Sequence, residues 1–167
     1  LRQRVGLVFQ NPDDQLFMPT VLDDVAFGPL NLGLSTEQAQ ERAVGALTTV
    51  GAAHLSQRSS LRLSTGEKRA AAIAAVLAMA PDILLMDEPT AGLDPWSRRQ
   101  LINLLGSFAH TKIIATHDLD FALDVCQRTL VLREGRVVAD GPTANLLRDR
   151  ELLASCRLEL PLRWQAG

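Results

Sequence analysis

The stretch ILLMDEP, residues 83–89, decides the fold of this chain. Its four apolar residues are followed directly by Asp87 and Glu88, which is typical of a buried strand that ends in two carboxylates. Ligands of open α/β sheets bind where the strands end, and there one carboxylate can hold Mg²⁺ while a second orients or deprotonates a water. Taken alone, the pattern fits equally well a strand end with two solvated acids.

Strands and helices alternate along the rest of the chain. The apolar and capping patterns predict strands at residues 5–9, 83–86, 112–116, 128–133 and 136–139, and helices at residues 22–27, 37–50, 64–80, 95–108, 118–126 and 143–150. Ser35 and Ser64 each precede a Gln or Glu by three residues, which indicates capping boxes, and Glu134-Gly135 indicates a hairpin turn. The alternation predicts a layered α/β fold.

Composition and charge restrict the kinds of protein that this chain can be. The 167 residues fit one domain, and the 47% of hydrophobic residues can form a core. The net charge is −2, with both signs scattered, which argues against a nucleic-acid surface built on a basic patch. Cys126 and Cys156 lack CxxC or metal-ligand spacing, so two reduced thiols are expected. No apolar run approaches the roughly 20 residues of a membrane span, and no signal peptide is expected.

A second stretch, LSTGE at residues 63–67, places small and polar residues at a predicted helix start. Free backbone N–H groups, the Ser64 hydroxyl and the positive end of the helix dipole can together bind an anion. Gly66 lets the backbone approach a phosphate closely. The alternative for these five residues is an ordinary helix N-cap, and the acidic strand downstream favours the phosphate site.

Five motifs in this order resemble those of the ATP-binding-cassette (ABC) ATPases. LSTGE (63–67) resembles the family signature, ILLMDEP (83–89) the Walker B strand, AGLD (91–94) the D-loop, VFQNPDDQLF (8–17) the Q-loop with Gln10 as its glutamine, and His117 the switch histidine. Residues 10–34 are especially similar to the ATPase subunits of cobalt, nickel and energy-coupling-factor vitamin importers. On their own, Gln10 and His117 would be plain polar loop residues, and the order of the motifs gives them their interpretation.

The resemblance implies an α/β fold of the P-loop NTPase type, in which a RecA-like core sheet carries an inserted helical subdomain. Residues 1–11 and 81–147 would form the core, residues 12–80 the Q-loop and the helical subdomain with the signature, and residues 148–167 a C-terminal tail. The chain would then be a single ABC ATPase domain that lacks its N-terminal part.

The resemblance also implies that two such subunits sandwich two ATP molecules head to tail. Asp87 would hold Mg²⁺ directly or through water, Glu88 would be the general base, and Gln10 would touch both Mg²⁺ and the attacking water. His117 would reach the γ-phosphate. The residues that bind the partner's ATP or pack across the dimer would be Leu63, Ser64, Thr65, Gly66, Glu67 and Asp94.

The implied function is ATP binding and hydrolysis in an ABC-type importer, which drives uptake of cobalt, nickel or a vitamin. The partners would be a second ABC ATPase subunit, identical or different, and an integral membrane transporter subunit at the cytoplasmic face of the cell membrane, without nucleic acid. Phe17, Met18 and Val21 form an apolar cluster that is either a groove for the membrane subunit or ordinary core. Trp96 and Trp164 are expected to be packing residues.

Three departures from the family pattern bear on this interpretation. Thr65 stands where the family usually has Gly, and Glu67 stands where it usually has Gln, which brings a negative charge near the nucleotide. No GxxxxGKS or GxxxxGKT occurs in the chain, and the family's P-loop and adenine-stacking aromatic would precede Leu1. The alternatives are a non-transport ABC ATPase of DNA repair or translation, and a binding-only remnant without its own P-loop.

We expect this chain by itself to bind ATP weakly or not at all and to be inactive as an ATPase, because the P-loop amides and lysine are what cradle the phosphates. Titration of the purified chain with a fluorescent ATP analogue in the presence of Mg²⁺ measures the affinity. A micromolar dissociation constant would contradict the prediction and would imply a different phosphate cradle.

Overall fold

The structure, a computed structural model, describes residues 4–109 and 111–165. Two compact units divide between Ala115 and Thr116. This division does not coincide with the domain boundaries expected after residues 11, 80 and 147, which stay predictions. The parts of those predicted domains at residues 1–3, 110 and 166–167 lie outside the described residues.

A three-stranded parallel sheet forms the centre of the first unit. Its strands are β1 (Val5–Val8), β2 (Ile83–Asp87) and β3 (Thr111–Ala115), with β2 in the middle. In this register Met86 lies opposite Val8 on one side and opposite Ile114 on the other. The three predicted strands are confirmed, and β2 extends through Asp87.

The two faces of this sheet differ in exposure, because side chains alternate along each strand. Val8 and Met86 lie on one face and are buried. Leu7 and Ile113 lie on the other face and are 42% and 56% exposed. Asp87 ends β2 on this exposed face. These strands therefore expose apolar side chains beside the Asp87 carboxylate.

Three helices of the first unit share one apolar core: α1 (Val21–Asn31), α2 (Thr36–Thr49) and α3 (Thr65–Leu77). Both predicted capping boxes are present, one at Ser35 before α2 and one at Ser64 before α3. α1 is longer than predicted, because it continues through the buried Pro29. Along the described residues, no helix combines the length and the apolarity that a bilayer crossing requires.

The helix α4 (Pro95–Ser107) begins at a cap formed by Asp94. The Oδ1 atom of Asp94 accepts hydrogen bonds from the N–H groups of Trp96 at 2.9 Å and Ser97 at 3.0 Å. The apolar stripe of α4, which includes Leu101, is buried. Trp96 lies outside this stripe and is 71% exposed, so the expectation that it is a packing residue is wrong.

An antiparallel hairpin forms the sheet of the second unit. Its strands β4 (Arg128–Arg133) and β5 (Arg136–Pro142) are joined by the predicted turn at Glu134-Gly135. β5 is longer than predicted, because the pairing continues until Pro142 lies opposite Arg128. The hairpin prediction is therefore confirmed.

The C-terminal residues fold back onto helix α5 (Leu119–Val125). A single helix at residues 143–150 was the wrong prediction. In the described part of the chain, short helices follow the hairpin instead: α6 (Thr143–Leu146), α7 (Arg150–Ser155) and α8 (Leu162–Gln165). The break occurs because the side chain of Asp149 accepts a hydrogen bond from the Leu152 N–H at 2.9 Å and starts a new helix.

Arg163 on α8 holds this segment against α5. Its Nε donates to Oδ1 of Asp120 at 2.8 Å, and its Nη2 donates to Oδ1 of Asp124 at 2.9 Å. Burial raises the pKa of Asp120, but the hydrogen bonds from Arg163 and a backbone N–H outweigh burial, so the pKa lies below its ordinary value. Trp164 packs as expected, against an apolar cluster and with its ring 4.9 Å from the Arg148 guanidinium.

Replacing Arg163 by Ala should loosen α5, because the ion pairs that join Arg163 to Asp120 and Asp124 are then lost. We expect the free energy of local opening of α5 to fall by about 1 kcal/mol, which makes amide hydrogen exchange in α5 roughly fivefold faster at neutral pH. The pKa of Asp120 is lowered in the folded chain. The stabilisation is therefore present above the ordinary Asp pKa and is lost as the pH falls through the lowered pKa.

The control for this prediction is Arg150→Ala, at an exposed position on α7. Exchange in α5 of this control should stay within about 1.5-fold of wild type. Equal exchange rates in the two variants would show that Arg163 does not hold α5.

Candidate functional site

Glu88 has a backbone conformation that non-glycine residues rarely adopt. It directly follows β2, and its φ of +42° lies in the left-handed region, which costs roughly 1–3 kcal/mol. Its N–H donates to the carbonyl of Ala115 at the end of β3 at 2.9 Å, and its carbonyl accepts from the N–H of Ala91 at 3.0 Å. Backbone strain that the surroundings impose in this way is concentrated at active sites.

The strand register brings Gln10 to the same edge of the sheet. Val8, the last residue of β1, pairs with Met86, which directly precedes Asp87. The chain runs on from Val8 to Gln10 in two residues. Gln10 therefore lies just after the carboxyl end of β1, and Asp87 is at the carboxyl end of the neighbouring parallel strand β2, with the two backbones about 4.8 Å apart. Both residues are exposed there.

The loop that carries Gln10, residues 9–15, is tied to α3 and is called the Gln10 loop below. Arg69 of α3 donates from Nη1 to the Phe9 carbonyl at 2.7 Å and from Nη2 to the Gln10 carbonyl at 2.6 Å. Lys68, the preceding residue, forms an ion pair with Asp13 at an Nζ–Oδ1 distance of 2.6 Å. The sequence patterns indicated no role for Arg69. The one feature that could have drawn attention to it is a cationic residue within an Ala-rich segment that is predicted to be a buried helix.

The LSTGE residues form the start of α3, and Glu67 engages the donors of Ser64. The Oε2 atom of Glu67 accepts from the Ser64 N–H at 2.7 Å and from the Ser64 hydroxyl at 2.9 Å. The Ser64 N–H contributes most to lowering the pKa of Glu67, and Arg58 adds to the effect. The Glu67 carboxylate therefore competes with any anion for the Ser64 donors. Thr65 is exposed beside it, whereas Leu63 is buried in the core of the three helices.

Gly66 lies in close contact with α4. A Cβ atom at this position would lie 2.4 Å from the Ser97 Oγ atom and 2.9 Å from its Cβ atom. The Ser97 hydroxyl donates to Oδ2 of Asp94 at 2.6 Å, and this bond is the main cause that holds the pKa of Asp94 below its ordinary value. The LSTGE turn and the AGLD loop thus share one packed surface through Ser97, a residue that the sequence patterns missed.

His117 lies in the second unit, next to the cap of α5. The following residue, Asp118, accepts from the Phe121 N–H at 2.8 Å and donates its own N–H to the Thr116 hydroxyl at 3.0 Å. Asp118 is therefore a helix cap, and His117 sits at the centre of a turn that is held by local hydrogen bonds.

The acidic edge of the sheet fits a magnesium ion better than a metal held by protein ligands alone. Within residues 4–109 and 111–165, no group of three or more His, Cys, Asp or Glu side chains could hold a metal. Mg²⁺ is commonly bound by one or two carboxylates together with substrate phosphates and waters. The exposed carboxylate of Asp87 and the amide oxygen of Gln10 supply donors of this kind, so the edge suits Mg²⁺ that arrives with a nucleotide.

Comparison with known proteins shows the family to which this chain is similar. The family model described as ABC transporter matches residues 1–91. A Geobacter sulfurreducens protein named as an ABC transporter ATP-binding protein is 62% identical over 165 residues, which is 99% of this chain and 66% of the relative. The energy-coupling factor transporter ATP-binding protein EcfA of Methanothermobacter thermautotrophicus is 44% identical over 164 residues, which is 96% of this chain and 53% of the relative. The chain thus spans about half to two thirds of the length of these relatives.

A solved structure shows the same architecture. CbiO1 from Clostridium perfringens, described as part of the ABC transporter complex CbiONQ, matches with a TM-score of 0.81 and 39% identity over 95% of this chain and 65% of that chain. The predicted α/β fold of the P-loop NTPase type is therefore confirmed. The family model and the relatives show that the chain belongs to the ATP-binding subunits of ABC transporters.

Proposed function

We propose that this chain forms the catalytic edge of an ATP-hydrolysing subunit in an ABC-type importer. The observation that carries the proposal is the strained backbone of Glu88, held directly after Asp87 by the Ala115 carbonyl. The carboxyl end of a central parallel strand is where open α/β sheets bind their ligands. Membership of the ABC family supplies ATP as the substrate.

Different residues at this edge are proposed to bind the metal and to transfer the proton. In this proposal Asp87 holds Mg²⁺, which neutralises negative charge on the phosphates when it is bound. Glu88 accepts a proton from the attacking water. Gln10 orients that water from the neighbouring strand end, and His117 contacts the γ-phosphate.

The start of α3 is proposed to meet the ATP of a second ABC ATPase subunit. Ser64, Thr65 and Gly66 offer N–H and hydroxyl donors at a helix N-terminus, which favours a phosphate. Because Glu67 engages both Ser64 donors, phosphate binding requires the Ser64 hydroxyl to turn away from this carboxylate. Asp94 belongs to the adjoining surface, where it faces the second subunit.

The transported solute is proposed to be cobalt, nickel or a vitamin. The support is the resemblance of residues 10–34 to the ATPases of such importers, together with the relatives named for energy-coupling factor and CbiONQ transporters. In this proposal the subunit binds peripherally, at the cytoplasmic face of the membrane, to an integral membrane subunit.

An exposed aromatic pair is the proposed contact for the membrane subunit. Phe17 is 61% exposed and meets Phe27 edge to face, with 5.0 Å between ring centroids. The buried Asp24 holds the backbone at Phe17, because its Oδ1 atom accepts hydrogen bonds from the N–H groups of Phe17 and Met18, both at 2.8 Å. Val21 was expected in the same cluster, but it is fully buried, since it opens α1 on the face that packs into the core.

In the full-length protein, Glu88→Gln should keep ATP binding and lose about 10²- to 10⁴-fold in turnover, because an amide cannot accept the proton. The variant should also accumulate as a closed dimer with ATP and Mg²⁺. Asp87→Asn should instead weaken Mg²⁺-dependent ATP binding. Steady-state phosphate release and size-exclusion chromatography with ATP measure these effects.

The matched control is Glu134→Gln, because Glu134 also has a left-handed backbone, with φ of +50°, but lies in the hairpin turn. Its turnover should stay within about twofold of wild type. Turnover of Glu88→Gln within a few-fold of wild type would show that Glu88 is not the base. It would leave Gln10 and His117 to position the water.

Replacing Phe17 and Met18 by Ser should reduce co-purification of the full-length protein with its membrane subunit several-fold, because the exposed ring is the proposed anchor. Leu61→Ser is the control, since Leu61 is an equally apolar residue that is 85% exposed elsewhere in the first unit. Similar unfolding midpoints in both variants exclude a folding defect. Unchanged co-purification of the Phe17 and Met18 variant would place the contact elsewhere.

A further inference from the structure

A buried cation holds the Gln10 loop. Arg69 is only 2% exposed, and its Nε atom has no hydrogen-bond partner among the described residues. The acceptors of its two Nη atoms are neutral backbone carbonyls. Burying a guanidinium in this way is costly, and an apolar side chain would fill the same space at less cost. The residue therefore does something that packing alone does not require.

The two acceptors identify what Arg69 fixes. The Phe9 carbonyl belongs to the peptide unit before the Cα atom of Gln10, and the Gln10 carbonyl belongs to the unit after it. Arg69 bonds these oxygens at 2.7 and 2.6 Å. Because each peptide unit is planar, rotation about either backbone bond of Gln10 would break one of these hydrogen bonds. The direction in which the Gln10 side chain leaves the backbone is thus set by α3.

Other contacts hold the ends of the same loop. The Oε1 atom of Gln15 accepts a hydrogen bond from the Phe9 N–H at 2.8 Å, and its Nε2 atom donates to the Ala72 carbonyl of α3 at 3.5 Å. The ion pair between Lys68 and Asp13 adds a link at the surface. These contacts shape the loop, whereas the bonds from Arg69 act on the two peptide units that flank Gln10.

We propose that Arg69 is a positioning residue for hydrolysis, which orients Gln10 toward the acidic edge of the sheet. The inference rests on the proposed function, because it gives Gln10 the task of orienting water. In this role Arg69 acts through Gln10, because its two Nη atoms bond the carbonyls of Phe9 and Gln10. A displacement of about 1 Å at a catalytic group can cost on the order of 10²-fold in rate, so loss of the two hydrogen bonds slows the chemical step.

A double-mutant cycle in the full-length protein tests this role. Arg69→Met removes both donors and keeps most of the side-chain volume, and Gln10→Ala removes the amide that Arg69 is proposed to orient. Arg69→Met should lower kcat by roughly tenfold or more, with the KM for ATP within about twofold. The double mutant should be no slower than Gln10→Ala, within about twofold, because the two residues act as one unit.

The matched control is Lys68→Ala, which removes the surface ion pair between the same helix and the same loop. Its kcat should stay within about twofold of wild type. Losses that multiply in the double mutant would overturn the inference, since Arg69 would then act independently of Gln10. Wild-type kcat in either Arg69→Met or Gln10→Ala would overturn it as well.

Arg69→Lys keeps the charge but replaces the planar fork of two Nη donors by a single ammonium nitrogen. It takes the place of Arg69→Met in the cycle if Arg69→Met unfolds. A smaller loss with the same non-additivity is then expected. Amide hydrogen exchange across residues 8–16 should be faster in Arg69→Lys than in Lys68→Ala, and equal exchange would count against the inference. The proposed function is tested separately, because Glu88→Gln with wild-type turnover would refute the assignment of Glu88 as the base and leave the exchange result intact.

Discussion

The close contact between β1 and α3 is the constraint on which the first unit depends. A Cβ atom at Gly6 would lie 2.2 Å from the Val76 Cγ1 atom, so the helix and the strand meet without room for a side chain. This contact seats α3 on the covered face of the sheet. The parallel register then carries Gln10 and Asp87 to one edge. The start of α3 and the acidic edge are therefore parts of one packing arrangement.

Elements with local causes could be predicted from the sequence. Both capping boxes, the strand that ends at Asp87 and the hairpin turn at Glu134-Gly135 depend on residues only a few positions apart. The order of five short motifs predicted the family. The C-terminal helices were predicted wrongly, because the cap at Asp149 looks like one more polar residue in a continuing helical pattern.

The arrangement of the candidate site could not be predicted in the same way. Arg69 bonds a carbonyl 60 positions away in the chain, and the backbone of Glu88 is held by the end of another strand. Ser97 meets Gly66 only because α4 packs beside the start of α3. Such contacts leave no periodic or capping signal. A single sequence therefore indicates which residue types form the site, while the fold determines how they are held.

The bonds from Arg69 end on main-chain oxygens, and this affects how the region can diverge during evolution. Every amino acid carries a carbonyl, so the link does not depend on the side chain at position 9 or on those that follow it in the loop. Position 69, in contrast, needs a planar group with two parallel donors. Substitutions can therefore accumulate in the Gln10 loop, while the single position 69 on α3 keeps the geometry of that loop constant.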